Sequence, residues 1–266
     1  RRRELALENE VGGFYQRTSD NLTRFVFPIS IRRTRVIAVP SQFTSDELQN
    51  TYGVSDRKIT TVPAAISKKF IPNNDSEHKK QVRKRYGALG GYVLHFASGD
   101  PRDNTETALR AFSLANISKD IKIILVGNGY LEQDYFAKMI ANMGLKERAI
   151  FTGYVSDSDL VDLYQASDIY MDPSLYEGFG LQVLEAMSCG TPVLCSNTTS
   201  LSEIAGDAAL TYKPTDIRGF ADGIEYLTSN TVQAYLMRDT GILHASKYSW
   251  TETVEQLVTL CEHAID

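Results

Sequence analysis

Short apolar runs, partly β-branched, alternate along most of the chain with longer stretches in which apolar positions recur at i, i+3 and i+4. The runs are GYVLHFA (91–97), KIILVG (122–127), AIFTG (149–153), DIYMDP (168–173), PVLCS (192–196) and AALTY (208–212). They read as buried strands. Between them lie TETALRAFSLAN (105–116), YLEQDYFAKMIANMG (130–144), DSDLVDLYQAS (157–167) and LQVLEAMSCG (181–190), which close in Gly, Asn or Ser and predict helices. Strand then helix, repeated at intervals of roughly 15 to 30 residues, predicts a parallel, doubly wound α/β sheet. The body is therefore expected to be one Rossmann-like domain.

The first 72 residues hold only two convincing strands, RVIAV (35–39) and KITTV (58–62), with the Ser-capped helix SQFTSDELQNTYG (41–53) between them. That is one βαβ unit with a preceding helical segment, too little for a second complete domain of ordinary size. The polar stretch KKFIPNNDSEHKK (68–80) breaks the period and is read as a linker. The pattern over 230–264 is helical, interrupted near KYSW (247–250), where Ser249 or Thr251 would cap the last helix.

Composition narrows the class. Of 266 residues 42% are hydrophobic and 23% charged, which supports a real core and excludes disorder. Three cysteines, Cys189, Cys195 and Cys261, are too few for a disulfide scaffold, and a reducing cytoplasmic setting fits them. Apolar runs such as IKIILV (121–126) fall far short of the ~18 residues of a membrane span. The opening RRRELALENE has no signal-type apolar stretch and no initiator Met, so a piece of a longer chain is expected.

Net charge is −5, but residues 1–72 hold 12 Lys and Arg against 7 Asp and Glu, while residues 73–266 hold 16 against 26. The plainer reading is solvated faces that differ. The sharper one is a basic N-terminal part that meets an anionic acceptor or touches the inner face of a membrane peripherally. Nucleic acid is not an expected partner, because the body is acidic and lacks basic-aromatic interleaving.

In open α/β sheets ligands bind beyond the carboxyl ends of the strands, which directs attention to the loops there. SGDPRDN (98–104) offers Gly99 for close backbone approach and Arg102 as a guanidinium fork suited to phosphate. GNG (127–129) and GYVSDSDL (153–160) follow the next two strands, and PSLYEGFGLQVLE (173–185) follows the fourth. In the last, Gly178, Phe179 and Gly180 precede a helix starting near Leu181, so open backbone N–H groups and the helix dipole favour a diphosphate. Glu177 and Glu185 flank that end. At helical rise they would stand roughly 12 Å apart, badly placed for a glycosidase pair but suited to hydroxyls at opposite ends of an extended nucleotide sugar.

The segment PSLYEGFGLQVLEAMSCGTPVLCSNTTSLSEIAGDAAL (173–210) closely resembles the donor-binding segment of family-four retaining glycosyltransferases, which have the GT-B fold of two Rossmann-like domains. The similarity extends over VIAVPSQFTSDELQNTYGV (36–54), ITTVPAAISKKF (59–70), SGDPRDNTETALRAF (98–112), VGNG (126–129), FTGYVSDSDLVDLYQASDIYMDPS (151–174) and YSWTETVEQ (248–256). The resemblance implies that 1–72 belong to an acceptor domain and its linker, 73–246 to a complete donor domain, and 247–266 to a helix crossing back. It implies that Glu177 meets donor-sugar hydroxyls and Glu185 the ribose. The backbone of Phe179, Gly180 and Leu181 would hold sugar and diphosphate, Arg102 the diphosphate, and the backbone at Tyr154 and Val155 the base. Ser98, Gly99, Asp103, Gly127, Asn128 and Gly178 complete the expected donor site.

Some residues depart from the family pattern. Asp103 stands where Lys often helps neutralise the diphosphate; it is expected to orient Arg102 or Asn104, or to weaken donor binding. Gln182 replaces a common Pro, while Ala97 and Ser98 stand where Gly and Arg or Thr are frequent. The plainer reading of Arg102 is a surface ion pair with Asp100 or Asp103. Asp157 and Asp159 mimic a metal-binding Asp-x-Asp, but Ser156 or Asp157 as an N-cap explains them. GNG begins a nicotinamide-type G-x-G-x-x-G that Glu132 interrupts. His95, His244 and His263 are read as structural, and Trp250 as a packing anchor.

The implied reaction is transfer of a sugar from a UDP- or GDP-linked donor to a hydroxyl of a carbohydrate, lipid-linked or small-molecule acceptor, with retention and with no metal or other cofactor. Alternatives are a non-catalytic nucleotide-sugar-binding module or another GT-B enzyme, such as a nucleotide-sugar epimerase or a phosphorylase, although no pyridoxal-binding Lys is identifiable.

Overall fold

Parallel strands buried on both faces carry no alternation, because side chains of either parity meet apolar neighbours. The computed structural model, which describes residues 26–127 and 133–265, arranges such strands in two units. One comprises residues up to Pro63 together with those from Val254 onward, the other Ala64–Thr253. Among the described residues no helix is long and apolar enough to cross a membrane.

In the smaller unit, residues 26–33 are helical, and β1 (Ile37–Val39) pairs in parallel with β2 (Ile59–Thr61), Ile37 opposite Ile59. The crossover helix α1 (Gln42–Tyr52) begins where Ser41 Oγ accepts from the Thr44 N–H and ends at Gly53, whose φ of +65° suits glycine. Lys58 Nζ donates to the carbonyls of Arg32 and Thr34, at the end of the helical stretch.

The larger unit is built on β3 (Tyr92–Phe96), β4 (Lys122–Val126), β5 (Ala149–Gly153), β6 (Ile169–Asp172), β7 (Val193–Ser196) and β8 (Leu210–Tyr212). All pairings are parallel, in the order β5-β4-β3-β6-β7-β8. This is the doubly wound Rossmann arrangement, with the reversal of strand order between β3 and β6.

Helices cover both faces. α2 (Ser76–Arg85), α5 (Asp157–Ala166), α6 (Leu181–Ser188) and α7 (Thr199–Ala205) supply Val82, Leu163, Val183 and Leu201 to a core around Leu94 and Tyr170. On the other face α3 (Thr105–Leu114), α4 (Gln133–Asn142) and α8 (Ile217–Ser229) supply Phe112, Ile140 and Ile224 to a core around Val93 and Met171. Two further helices, α9 (Thr231–Ala245) and α10 (Trp250–Ile265), close the chain. Ser249 Oγ accepts from the Glu252 N–H, making it the cap of α10. Trp250 is 51% exposed, so it is not the packing anchor expected from the sequence. At the first turn of a helix its ring has too few neighbours to cover it.

α2 arises inside the stretch read as a linker. Asp75 accepts from the Glu77 N–H at 2.9 Å and caps it, but Val82 is its one buried residue, so no apolar period announces it. Charge fixes it instead: Arg83 pairs with Asp168 and donates Nε to the Ala166 carbonyl at 3.0 Å, while Asp168 Oδ2 accepts from the Tyr92 N–H at 2.9 Å. Gly91 lies under this junction at φ +103°, where a Cβ would stand 2.1 Å from Asp168 Oδ2.

Gly91→Ala is therefore expected to lose about 2–4 kcal/mol in equilibrium denaturation. Gly87→Ala, at φ +66° but with open space around it, should lose only about 1–2 kcal/mol. Equal losses would show that the crowding at Asp168 carries no weight.

Candidate functional site

The carboxyl ends of β3 and β6 meet at the reversal of strand order, and the loops that follow them are bonded together. Leu175 N donates to the Arg102 carbonyl at 2.8 Å. Asn104, in the left-handed region at φ 55°, donates Nδ2 to the carbonyls of Pro173 and Pro214, both at 2.8 Å. One amide thus ties the loops after β3, β6 and β8.

Three carboxylates shape these loops. Asp100 accepts from the Arg102 N–H at 2.9 Å and caps the short turn Pro101–Asp103. The same carboxylate forks the Arg102 guanidinium, with Nε at 2.9 Å and Nη2 at 2.6 Å from Oδ2, so the ion pair weighed in the sequence is present. The Asp103 carboxylate bonds to neither Arg102 nor Asn104; it accepts from Ser98 N at 2.8 Å and Ser98 Oγ at 2.5 Å, closing the loop around Gly99 (φ +87°). Asp172, at the end of β6 and 5% exposed, accepts from Ser174 N (3.2 Å), Ser174 Oγ (2.5 Å) and Tyr170 OH (3.3 Å). Its burial pushes its pKa upward despite these bonds.

Glu177 is held by its backbone. Its N–H donates to Thr199 Oγ1 at 3.2 Å and its carbonyl accepts from Ser200 Oγ at 2.8 Å, both at the start of α7. Its half-buried side chain lines a cavity of about 20 Å³ with His95, Asp103, Asp172, Ser174 and Gln182, room for about one water. Burial first, then Asp172 and Asp103, push the Glu177 pKa up to about 7 against the pull of Arg102.

Beyond Glu177 the chain turns into α6. Gly178 is half-buried in the turn. Buried Phe179 packs edge-on against Tyr248, with centroids 6.0 Å apart. Gly180, at φ +106°, is the N-cap, and a Cβ there would approach Leu201 Cδ2 to 2.6 Å. No side chain caps α6, and Leu181 at its first position is 40% exposed; the Val183 N–H turns back to the Gly180 carbonyl at 3.2 Å, so the N–H groups of Leu181 and Gln182 are the ones left for a ligand. Glu185 projects from the next turn, where it accepts from Tyr164 OH at 3.2 Å. Burial pushes its pKa up to about 7, opposed by that bond and by Lys69.

The remaining candidates are more dispersed. Gly127 has φ +132°, and a Cβ there would lie 2.7 Å from the Ala97 carbonyl oxygen, so close approach of neighbouring strand ends requires glycine. Asn128 lies outside the described residues. Tyr154 is 80% exposed at the end of β5, and Val155 is partly buried against the core. Asp157 and Asp159 open α5, where Ser156 Oγ accepts from the Asp159 N–H at 3.2 Å. Among the described residues no group of three His, Cys, Asp or Glu is arranged to hold a metal. His95 is buried between the Met171 carbonyl (3.0 Å) and Thr105 Oγ1 (3.1 Å), as a structural histidine should be.

Sequence reasoning did not select Asp172, Tyr164, Thr199 or Ser200. A signal existed for Asp172, a carboxylate closing an otherwise apolar strand before Pro173; the others act through pairings invisible in one dimension.

A doubly wound parallel sheet with a glycine-led helix at its switch point is an α/β domain of the kind found in GT-B structures. The chain belongs to the family described as Glycosyl transferases group 1, whose model matches residues 79–241. It is 33% identical over 232 residues to O-antigen chain mannosyltransferase B of Escherichia coli, covering 86% of this chain and 61% of that protein. It is 27% identical over 239 residues to MMP alpha-(1->4)-mannosyltransferase of Mycolicibacterium hassiacum, covering 86% of this chain and 54% of the relative. The fold matches that of Anabaena HepE, solved in complex with UDP and glucose, with TM-score 0.80 and 21% identity over 90% of this chain and 66% of that one.

Glu185 supplies a check. A carboxyl whose folded pKa of about 7 exceeds the ordinary 4.5 takes up a proton on folding, so its contribution favours the fold at low pH and is lost as pH rises toward 7. Glu185→Gln escapes that loss. Its stability relative to the parent chain, from denaturation at pH 5 and pH 8, should improve at the higher pH; a pH-independent difference would contradict the burial assigned to Glu185.

Proposed function

We propose that the chain supplies the donor side of a retaining, metal-independent glycosyltransferase, which moves a sugar from a UDP- or GDP-linked donor to a hydroxyl of a carbohydrate, lipid-linked or small-molecule acceptor. Residues 1–72 are assigned to the acceptor side and its linker, 73–246 to the donor domain, and 247–266 to a returning helix. The observation that carries the reading is the uncapped, glycine-led end of α6 between Glu177 and Glu185, at the switch point of the sheet. The names of the E. coli and M. hassiacum relatives favour a mannosyl donor and a role in polysaccharide assembly. The assigned setting is the cytoplasm, at the inner face of the membrane when the acceptor is lipid-linked.

In this reading the diphosphate rests on the first-turn N–H groups of α6, where fixed dipoles meet the charge that grows on the leaving group. Arg102 must exchange Asp100 for a phosphate, or share itself between them. Its guanidinium is already oriented by that fork, so little ordering remains to be done. Glu177 positions sugar hydroxyls and forms no covalent intermediate; the departing phosphate oxygen takes the acceptor proton. Glu185 receives the ribose hydroxyls while Tyr164 holds its carboxylate in place.

Nucleotide release from a panel of UDP- and GDP-sugars, with and without acceptor, tests this in the full-length protein. Glu177→Ala should lower transfer by at least about 100-fold while nucleotide affinity stays within a few-fold. Unchanged turnover would sink the assignment, and binding without release by the parent protein would favour a non-catalytic nucleotide-sugar module. Arg102→Ala should weaken donor binding by roughly 10-fold or more, the loss of one charge-assisted contact, in the same titrations.

A further inference from the structure

We propose that Asp172 is a positioning residue that holds a substantial share of Glu177 in its protonated, hydrogen-bond-donating form near neutral pH. The inference rests on the supply of hydrogen-bond donors. Asp103, Asp172 and Glu177 all line one water-sized cavity. Asp172 receives three donors, from Ser174 N, Ser174 Oγ and Tyr170 OH, and Asp103 receives two from Ser98. Among the described residues no donor reaches the Glu177 carboxyl, whose bonds run through its backbone.

Asp172 and Glu177 facing one water-sized cavity resist ionising together, and Glu177, the group without donors, takes the proton more readily. The other charges nearby do not relieve the crowding. Arg102 is forked by Asp100, which itself adds negative charge. His95, on β3, is shifted by burial toward its neutral form, and Tyr170, on β6, toward its neutral phenol. The upward shift of Glu177 to about 7, with Asp172 as the largest contribution after burial, agrees with this balance.

Protonation changes what Glu177 can do. An ionised carboxylate only accepts, whereas the acid also donates one hydrogen bond, here to a hydroxyl oxygen of a donor sugar. That consequence rests on the function proposed above. The protonation state itself does not, so the two can fail separately.

The test is a carboxyl-carbon NMR titration of the intact protein labelled with 13C-glutamate, the Glu177 signal being assigned by its loss in Glu177→Gln. In the parent chain Glu177 should titrate near 7. In Asp172→Asn, which keeps the size of the side chain, its midpoint should fall by about one unit or more. Ser174→Ala offers a second route that leaves both carboxyls in place: deprived of a donor, Asp172 competes for the proton and the Glu177 midpoint falls. A parent midpoint in the ordinary glutamate range overturns the proposal, as does a midpoint near 7 that neither substitution moves. If transfer is established, Asp172→Asn should also shift the alkaline limb of its pH profile to lower pH. A structural lesion alone would scale the profile without moving it.

Discussion

The pairing of β3 with β6 is the constraint on which the candidate site depends. Val93 lies opposite Ile169 and Leu94 opposite Tyr170, and the crossovers leave these two strands toward opposite sides of the sheet. Their carboxyl ends therefore open a crevice that no connecting helix covers. Arg102, Asp103, Asp172 and Glu177 come together because each follows or ends one of those strands. Asn104 and the Leu175-to-Arg102 backbone bond then lock the two loops to each other. A slip between β3 and β6 would separate the acidic cluster from the terminus of α6.

The balance of charge in that crevice is unusual for a site proposed to receive phosphate. The loops at 97–104 and 173–180 carry Asp100, Asp103 and Glu177 against the single cation Arg102. Attraction for an anion must come largely from the backbone, through the uncapped first turn of α6, with Arg102 drawn from its carboxylate partner. This gives Asp103 a definite role. It contributes no counter-charge, but its two bonds to Ser98 hold the β3 loop in shape. Under the proposed reading, the acidic body of the chain would meet its nucleotide through geometry more than through net charge.

Much of the fold was legible because both faces of a parallel sheet are apolar, which makes each strand a compact run such as KIILV. Helices with a clear apolar stripe, such as α3 and α5, were legible for the same reason. α2 was not, since it is held by Arg83 and Asp168. α8 is not among the elements predicted from the sequence; its Gly219 and Gly223 serve close packing: a Cβ at Gly219 would lie 2.5 Å from the Tyr212 ring, and one at Gly223 3.0 Å from Leu194. At the site, Glu177, Gly180 and Glu185 announce themselves through spacing within one segment. Tyr164 acts through a contact between α5 and α6, and Asp172 through the cavity it shares with Glu177, so their part emerges only when the chain is folded.

The central claim is that the crevice at the ends of β3 and β6 receives a nucleoside diphosphate sugar. A crystal structure of the full-length protein with such a donor tests it most directly. The account predicts phosphate oxygens on the first-turn N–H groups of α6 and within reach of Arg102, with the sugar beside Glu177 and the ribose beside Glu185. A nucleotide bound elsewhere, with the α6 terminus still facing solvent, would contradict it.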